Sequence, residues 1–164
     1  AKLRLTPEAV CYDIGCGSGS ISVEMAMLSP GIRVYAIDSV EEAVALTRKN
    51  ADRFGLKNVQ VVQGMAPEGM ENFPEPTHAF IGGSRGNMAA ILKNLYAKNP
   101  SMRVVINAIS LETLSEIMGC LKTWKVTDLD ITQVQISKAK TLGDYHMMMG
   151  QNPVTIVSFQ FTSN

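Results

Sequence analysis

Asp13-Ile14-Gly15-Cys16-Gly17-Ser18-Gly19-Ser20 is the stretch of this chain best suited to hold a ligand. A short apolar run, Val10-Cys11-Tyr12, precedes it, and Ile21, Met25 and Leu28 follow at helical steps. The pattern predicts a strand, a tight glycine loop and a helix. Alternating glycines let the backbone take positive φ and let a ligand lie against the main chain. The helix then aims its free N–H groups at whatever sits there. Other suggestive residues stand where strands should end. Asp38 closes Arg33-Val34-Tyr35-Ala36-Ile37, where a carboxylate can accept from both hydroxyls of a ribose; a helix-capping acid is the competing reading. Met65 and Ala66 follow Gly64, where a backbone group beside a small side chain suits an adenine, or simply a turn. Gly82-Gly83-Ser84-Arg85-Gly86 carries an arginine able to grip a carboxylate with two hydrogen bonds. A solvated loop arginine is equally consistent. Asn107, at the end of a fifth strand, is expected to face the same cleft as that loop, or to cap a helix.

The spacing of the first loop decides its class. A dinucleotide fingerprint is Gly-x-Gly-x-x-Gly. Here the third glycine comes one residue early, Ser20 stands where that pattern wants glycine, and Asp13 lies two residues before Gly15. This form is typical of class I S-adenosylmethionine (AdoMet) methyltransferases. AdoMet has no phosphate, so its loop must admit an amino acid and a ribose. The expected cofactor is AdoMet, with S-adenosylhomocysteine as product. Asp13, Gly15, Cys16, Gly17, Ser18, Gly19, Asp38, Met65 and Ala66 are its expected binding residues, Asp13 by steadying the loop or a water near the amine. Glu24 is placed early in the first helix, where it suits the dipole or reaches the site. The Asp/Asn-Pro-Pro-aromatic grip of amine-methylating enzymes is absent, so the acceptor is not expected to be an exocyclic amine. Gly82, Gly83, Ser84, Arg85 and Asn107 are the expected substrate contacts, for a bulky, flat, acidic molecule. Met147-Met148-Met149, on a tip between two closing strands, suggests a substrate lip or a subunit contact.

The elements that must position these residues alternate. Strands are expected at Val10–Ile14, Arg33–Ile37, Val59–Gln63, His78–Ile81 and Met102–Asn107. Helices are expected from near Gly19 to before Pro30, over Glu41–Phe54 with Ser39 as N-cap, over Met88–Ala97 and over Leu111–Leu121. The second helix should turn Ala43, Val44, Leu46 and Ala51 inward. Two alternating stretches close the chain, 125–140 and Pro153–Phe161. Strands alternating with helices predict an α/β, Rossmann-like, mostly parallel seven-stranded sheet with helices on both faces and a C-terminal antiparallel hairpin. Ligands then bind beyond the carboxyl ends of the strands, where strand order reverses.

Bulk properties agree. The 164 residues are 46% apolar and 18% charged, enough for one packed domain. Fifteen basic and fifteen acidic residues give no excess for nucleic-acid phosphates. No run approaches a membrane span, and no signal-peptide pattern opens the chain. Cys11, Cys16 and Cys120 lack metal or disulfide spacing and fit small thiols in a reducing compartment, so a cytoplasmic location is expected. Two separated histidines argue against zinc, and no metal site is expected.

Taken together, Asp13–Ser20 with Glu24, Tyr35-Ala36-Ile37-Asp38, Gly64-Met65-Ala66-Pro67-Glu68, Phe80-Ile81-Gly82-Gly83-Ser84 and Gln151-Asn152-Pro153-Val154 resemble the decarboxylating precorrin methyltransferases of cobalamin biosynthesis. The resemblance covers nearly the whole chain. It implies AdoMet-dependent methylation of a precorrin ring carbon coupled to loss of carbon dioxide from a ring acetate. It also implies a tetrapyrrole substrate and a homotetramer. The chain departs in two ways. The family's loop usually has Gly-Gly-Ser-Gly-Gly where this chain has Gly-Gly-Ser-Arg-Gly. An N-terminal segment that reaches the family's cofactor site is expected to be missing from the single domain 1–164. Other readings remain: a class I methyltransferase with a protein carboxylate or small-molecule acceptor, a dinucleotide oxidoreductase, and an inactive assembly subunit.

Overall fold

A computed structural model describes residues 1–163; Asn164, the end of the domain read from sequence, lies outside the described residues. Nine strands and four helices follow one another: β1 Val10–Ile14, α1 Ser20–Met27, β2 Arg33–Asp38, α2 Glu41–Arg53, β3 Val59–Gln63, β4 His78–Ile81, α3 Met88–Lys98, β5 Arg103–Ala108, α4 Leu111–Leu121, β6 Val126–Val134, β7 Ser137–Leu142, β8 Tyr145–Gly150 and β9 Val154–Phe161. Seven strands form one sheet in the order β3-β2-β1-β4-β5-β9-β6. Neighbours from β3 to β5 pair in parallel, and β9 runs antiparallel between β5 and β6. The order reverses between β1 and β4, so the two glycine-rich loops leave adjacent strands at the switch point.

The sheet's two faces differ. Tyr12, Ile14, Ile37, Ala79, Ile81, Val104, Ile106, Val157 and Phe159 line one, a continuous apolar floor under α3 and α4. Met88, Ile91, Leu92 and Leu95 recur at steps of three and four, which puts one stripe of α3 onto that floor. Ser110 caps α4, accepting from the Thr113 N–H at 3.1 Å. On the other face Cys11 and Val34 pack with Met25 and Ala26 of α1, and α2 lies beside α1. Helices therefore lie on both faces, but α1 and α2 cover only the β1–β3 side of theirs. Towards β5 and β6 the N-terminal residues form a strap instead. Lys2 pairs with Asp130, and the Arg4 guanidinium reaches Asp128 at 2.7 Å. Arg103 of β5, 4% exposed, donates from Nε to the Lys2 carbonyl at 3.1 Å.

Four expectations are corrected. The stretch 125–140 is two strands, because β6 stays in the main sheet while β7 pairs with β8 as a separate ribbon. Met147, Met148 and Met149 are accordingly strand residues rather than a loop tip. Ser39 does not cap α2; Val40 holds the cap position, and its N–H is taken by Asp38 Oδ1 at 3.0 Å. The buried face of α2 is Val44, Thr47 and Ala51, with Leu46 turned out to solvent.

Candidate active site

The carboxyl edge of the parallel strands carries a cleft of about 200 Å³. Its walls include Ile14 and Gly15 after β1, Ile37, Asp38 and Ser39 after β2, Gly64, Met65 and Ala66 after β3, and Gly83, Ser84 and Arg85 after β4. Four loops thus converge, as strand ends at a switch point should. The two loops assigned separately to cofactor and substrate share one cavity.

The glycines differ in purpose. Gly15 has φ +71, and a Cβ there would lie 2.7 Å from the backbone N and O of Gly83. A Cβ on Gly82 would in turn meet the Gly15 carbonyl at 2.9 Å. The loops touch backbone to backbone, and the Gly82 and Gly83 N–H groups both point at the Ile14 carbonyl. Gly17, at φ +56, has open space beside it. Gly19, at φ +73, abuts α2: a Cβ would fall 2.5 Å from Thr47 Cγ2. Its small size serves the packing of the loop on α2.

Asp38 joins the loop to the next strand end. Its Oδ2 accepts from the Gly17 N–H at 3.0 Å, and its Oδ1 from Val40. Each carboxylate oxygen has capacity for another donor. From behind, the Thr47 hydroxyl donates to the Gly17 carbonyl at 3.1 Å, and Asn50 Nδ2 to the Ser18 carbonyl at 2.8 Å. Neither Thr47 nor Asn50 was selected from sequence. The usable signal was a small polar residue, Thr47, on the otherwise apolar inner face of α2.

Asp13 and Cys16 point away from the cleft. Asp13 is fully buried, accepts from Ser22 Oγ at 2.5 Å and leaves Oδ1 without a hydrogen-bond partner. Burial pushes its carboxyl up to about 6, against the hydrogen bond from Ser22. The Cys16 thiol sits 3.4 Å from Thr47 Oγ1, and burial raises it to about 11, so it is not a nucleophile near neutrality. Asn107 is not in this cleft. It lines a second cavity of about 450 Å³ with Glu24, Phe80, Val105, Ile156 and the N-terminal strap. The reason is alternation: Asn107 shares a face of β5 with Arg103 and Val105, opposite the face that packs on α3 and α4. The other loop contact is Asn87, whose Nδ2 reaches the Ala66 carbonyl at 3.3 Å. Among the described residues no cluster of metal-ligating side chains occurs.

A seven-stranded sheet in this order, with a glycine loop after β1 and an acid ending β2, is the Rossmann-like architecture of class I methyltransferases. An O-methyltransferase from Thermotoga maritima, 14% identical, superimposes with a TM-score of 0.78 over 99% of this chain and 62% of its own, a likeness of fold alone. The particular family follows from sequence: the chain belongs to the precorrin methyltransferase domain family, whose model matches residues 1–161. A Pyrobaculum calidifontis protein named "Probable cobalt-precorrin-6B C(15)-methyltransferase (decarboxylating)" is 36% identical over 160 residues, 96% of this chain and 82% of that one. The crystal structure of precorrin-6y C5,15-methyltransferase from Geobacter metallireducens is 33% identical, with a TM-score of 0.86 over 97% of this chain and 84% of that one.

Proposed function

We propose that this chain, acting as one domain, transfers a methyl group from AdoMet to a ring carbon of a precorrin and couples the transfer to decarboxylation of a ring acetate. The observation that carries the reading is the cleft at the switch point, where the Gly15–Gly19 loop and Asp38 are joined through the Gly17 N–H. The names of the relatives at 35–38% identity point to cobalt-precorrin-6B and its C15 as the acceptor. Membership of the family supports cobalamin biosynthesis as the setting.

The residues present fit AdoMet. Asp38 keeps capacity for both ribose hydroxyls. Open space beside Gly17 admits the amino-acid end against bare backbone. Met65 and Ala66 line the third side, where they would flank an adenine ring with sulfur and a small side chain. The cofactor supplies an electrophilic methyl group when bound. The polar side chains lining the cleft are Asp38, Ser39, Ser84 and Arg85, with no histidine, lysine or thiol among them. Catalysis therefore rests on proximity and alignment. Decarboxylation breaks a carbon–carbon bond and leaves its electron pair on the former acetate carbon. The conjugated macrocycle delocalises that pair before a proton takes it up. We assign the protein to the cytoplasm, in keeping with its three free thiols, and its assembly to a homotetramer.

The test is an incubation with methyl-labelled AdoMet and cobalt-precorrin-6B. Equal release of carbon dioxide and incorporation of label is expected; label without carbon dioxide, or neither, overturns the reading. A thermal shift with AdoMet and none with NAD separates this class from dinucleotide enzymes, because a specific ligand stabilises by mass action.

A further inference from the structure

We propose that Arg85 is a carboxylate clamp for the acceptor, a specificity contact of this chain's own. The proposal rests on the precorrin reading above. Three non-glycine residues of the described chain have positive φ: Arg4 at +54, Asp128 at +52 and Arg85 at +49. That conformation is strained for side chains bearing a Cβ. Arg4 and Asp128 hold each other in an ion pair at 2.7 Å. Arg85 has no such compensation. Among the described residues its guanidinium makes no ion pair and no side-chain hydrogen bond. It is exposed, and it lines the same cleft as Asp38. An unpaired planar cation held in a strained loop at a ligand cleft is suited to an anion from outside the chain.

Two carboxylates come near this cleft, one on AdoMet and one or more on the acceptor. The geometry favours the acceptor. Asn87, two residues beyond Arg85, is bonded to the Ala66 carbonyl. The Arg85 loop touches both ends of the AdoMet site, Gly83 at Gly15 and Asn87 at Ala66, and Arg85 itself lies exposed between them on the rim where a bulky acceptor has to arrive. The clamped group is also not the acetate that is lost. A guanidinium on that carboxylate would stabilise it in the ground state and resist release of carbon dioxide, so a useful clamp holds a carboxylate that does not react. Such a contact contributes equally to substrate and transition state, so it appears in KM and not in kcat.

The test compares wild type with Arg85→Gly, Arg85→Gln and Arg85→Lys. Glycine suits the left-handed backbone, so Arg85→Gly should melt at or above the wild-type temperature. Binding of cobalt-precorrin-6B is measured by titration of the protein saturated with S-adenosylhomocysteine, where no turnover occurs. We expect Arg85→Gly and Arg85→Gln to weaken that binding and raise KM by roughly 10-fold or more, the scale of a charge-assisted hydrogen bond. Arg85→Lys should recover part of both. The AdoMet Kd, kcat and the ratio of carbon dioxide to methyl transferred should stay within about 2-fold. Unchanged acceptor binding in Arg85→Gly overturns the clamp. A weakened AdoMet Kd with unchanged acceptor binding assigns the carboxylate to the cofactor and also overturns it. A changed carbon dioxide ratio puts Arg85 on the reacting acetate, against the proposal. Wild type that binds the acceptor through Arg85 yet transfers no methyl group refutes the precorrin reaction while sparing the clamp. Wild type that does not bind it refutes both.

Discussion

Two carboxylates, Asp38 and Asp13, show how placement divides the work of one side-chain type. Asp38 is half-buried at the cleft, with two backbone N–H groups already bound. Replacing it with alanine removes the acceptor for ribose and frees the Gly17 loop together. Asp38→Ala is expected to weaken AdoMet binding by roughly 10-fold or more, as loss of charge-assisted hydrogen bonds should. Isothermal titration checks this; an unchanged Kd removes Asp38 from the site. Asp13 is sealed from water, and burial holds its carboxyl at about 6. A carboxyl raised in the folded state binds more protons there than in the unfolded chain between its ordinary value near 4 and about 6. Folding stability should therefore fall as pH rises through that window and stay lower above it. Asp13→Asn should flatten that slope, with a difference of roughly 2–3 kcal/mol between pH 4 and 7. Urea unfolding of both proteins across the range is the measurement; parallel curves would refute it. His78 gives a slope of opposite sign. Burial lowers its basicity, so stability should fall when pH drops below its ordinary value.

Among elements, α2 is the one whose part in the site exceeded its sequence signal. The five strands from β1 to β5, their ends and the glycine spacing were readable, because apolar runs and turn residues mark them directly. The partner of each glycine was not. Gly19 looks like Gly17 in sequence, yet one meets Thr47 and the other open space. Only the crossing of the loop over α2 decides that, and the crossing depends on contacts far apart in the chain. The same applies to Asn107: its place at the end of a strand was correct, but the face it took depended on register. β7 was merged with β6 because alternation continues past Val134 while the pairing partner changes, and β8 was read as the tip between two strands. Gly19→Ala is expected to cost about 2 kcal/mol or more of stability, from steric conflict with Thr47 and positive φ. Adding Thr47→Ala removes the Cγ2 and Oγ1 conflicts but keeps Cβ at 2.8 Å, so it should relieve part of the steric cost and the double variant should lie above the sum of the singles. Strict additivity in chemical denaturation would refute the contact.

At the scale of the molecule, the β7–β8 ribbon is exposed along both strands. Leu142, Tyr145, Met147 and Met149 share one of its faces with Lys138 and Lys140. Nine of the sixteen large hydrophobic residues exposed in the described chain lie between Leu129 and Met149. A two-stranded ribbon is also barely stable alone. These observations favour contact with other copies in the proposed homotetramer. Met147→Lys with Met149→Lys should lower the mass seen by light scattering below that of a tetramer while the main sheet stays folded; an unchanged mass removes the ribbon from the interface. The insertion of β9 between β5 and β6 has a consequence in time. β6 is synthesised first, but its only described partner in the sheet is β9. It must wait as an unpaired strand until residues Val154–Phe161 arrive. The slow step of folding should accordingly be the capture of β9, and the interval before it is when the newborn chain is most open to aggregation and to chaperones.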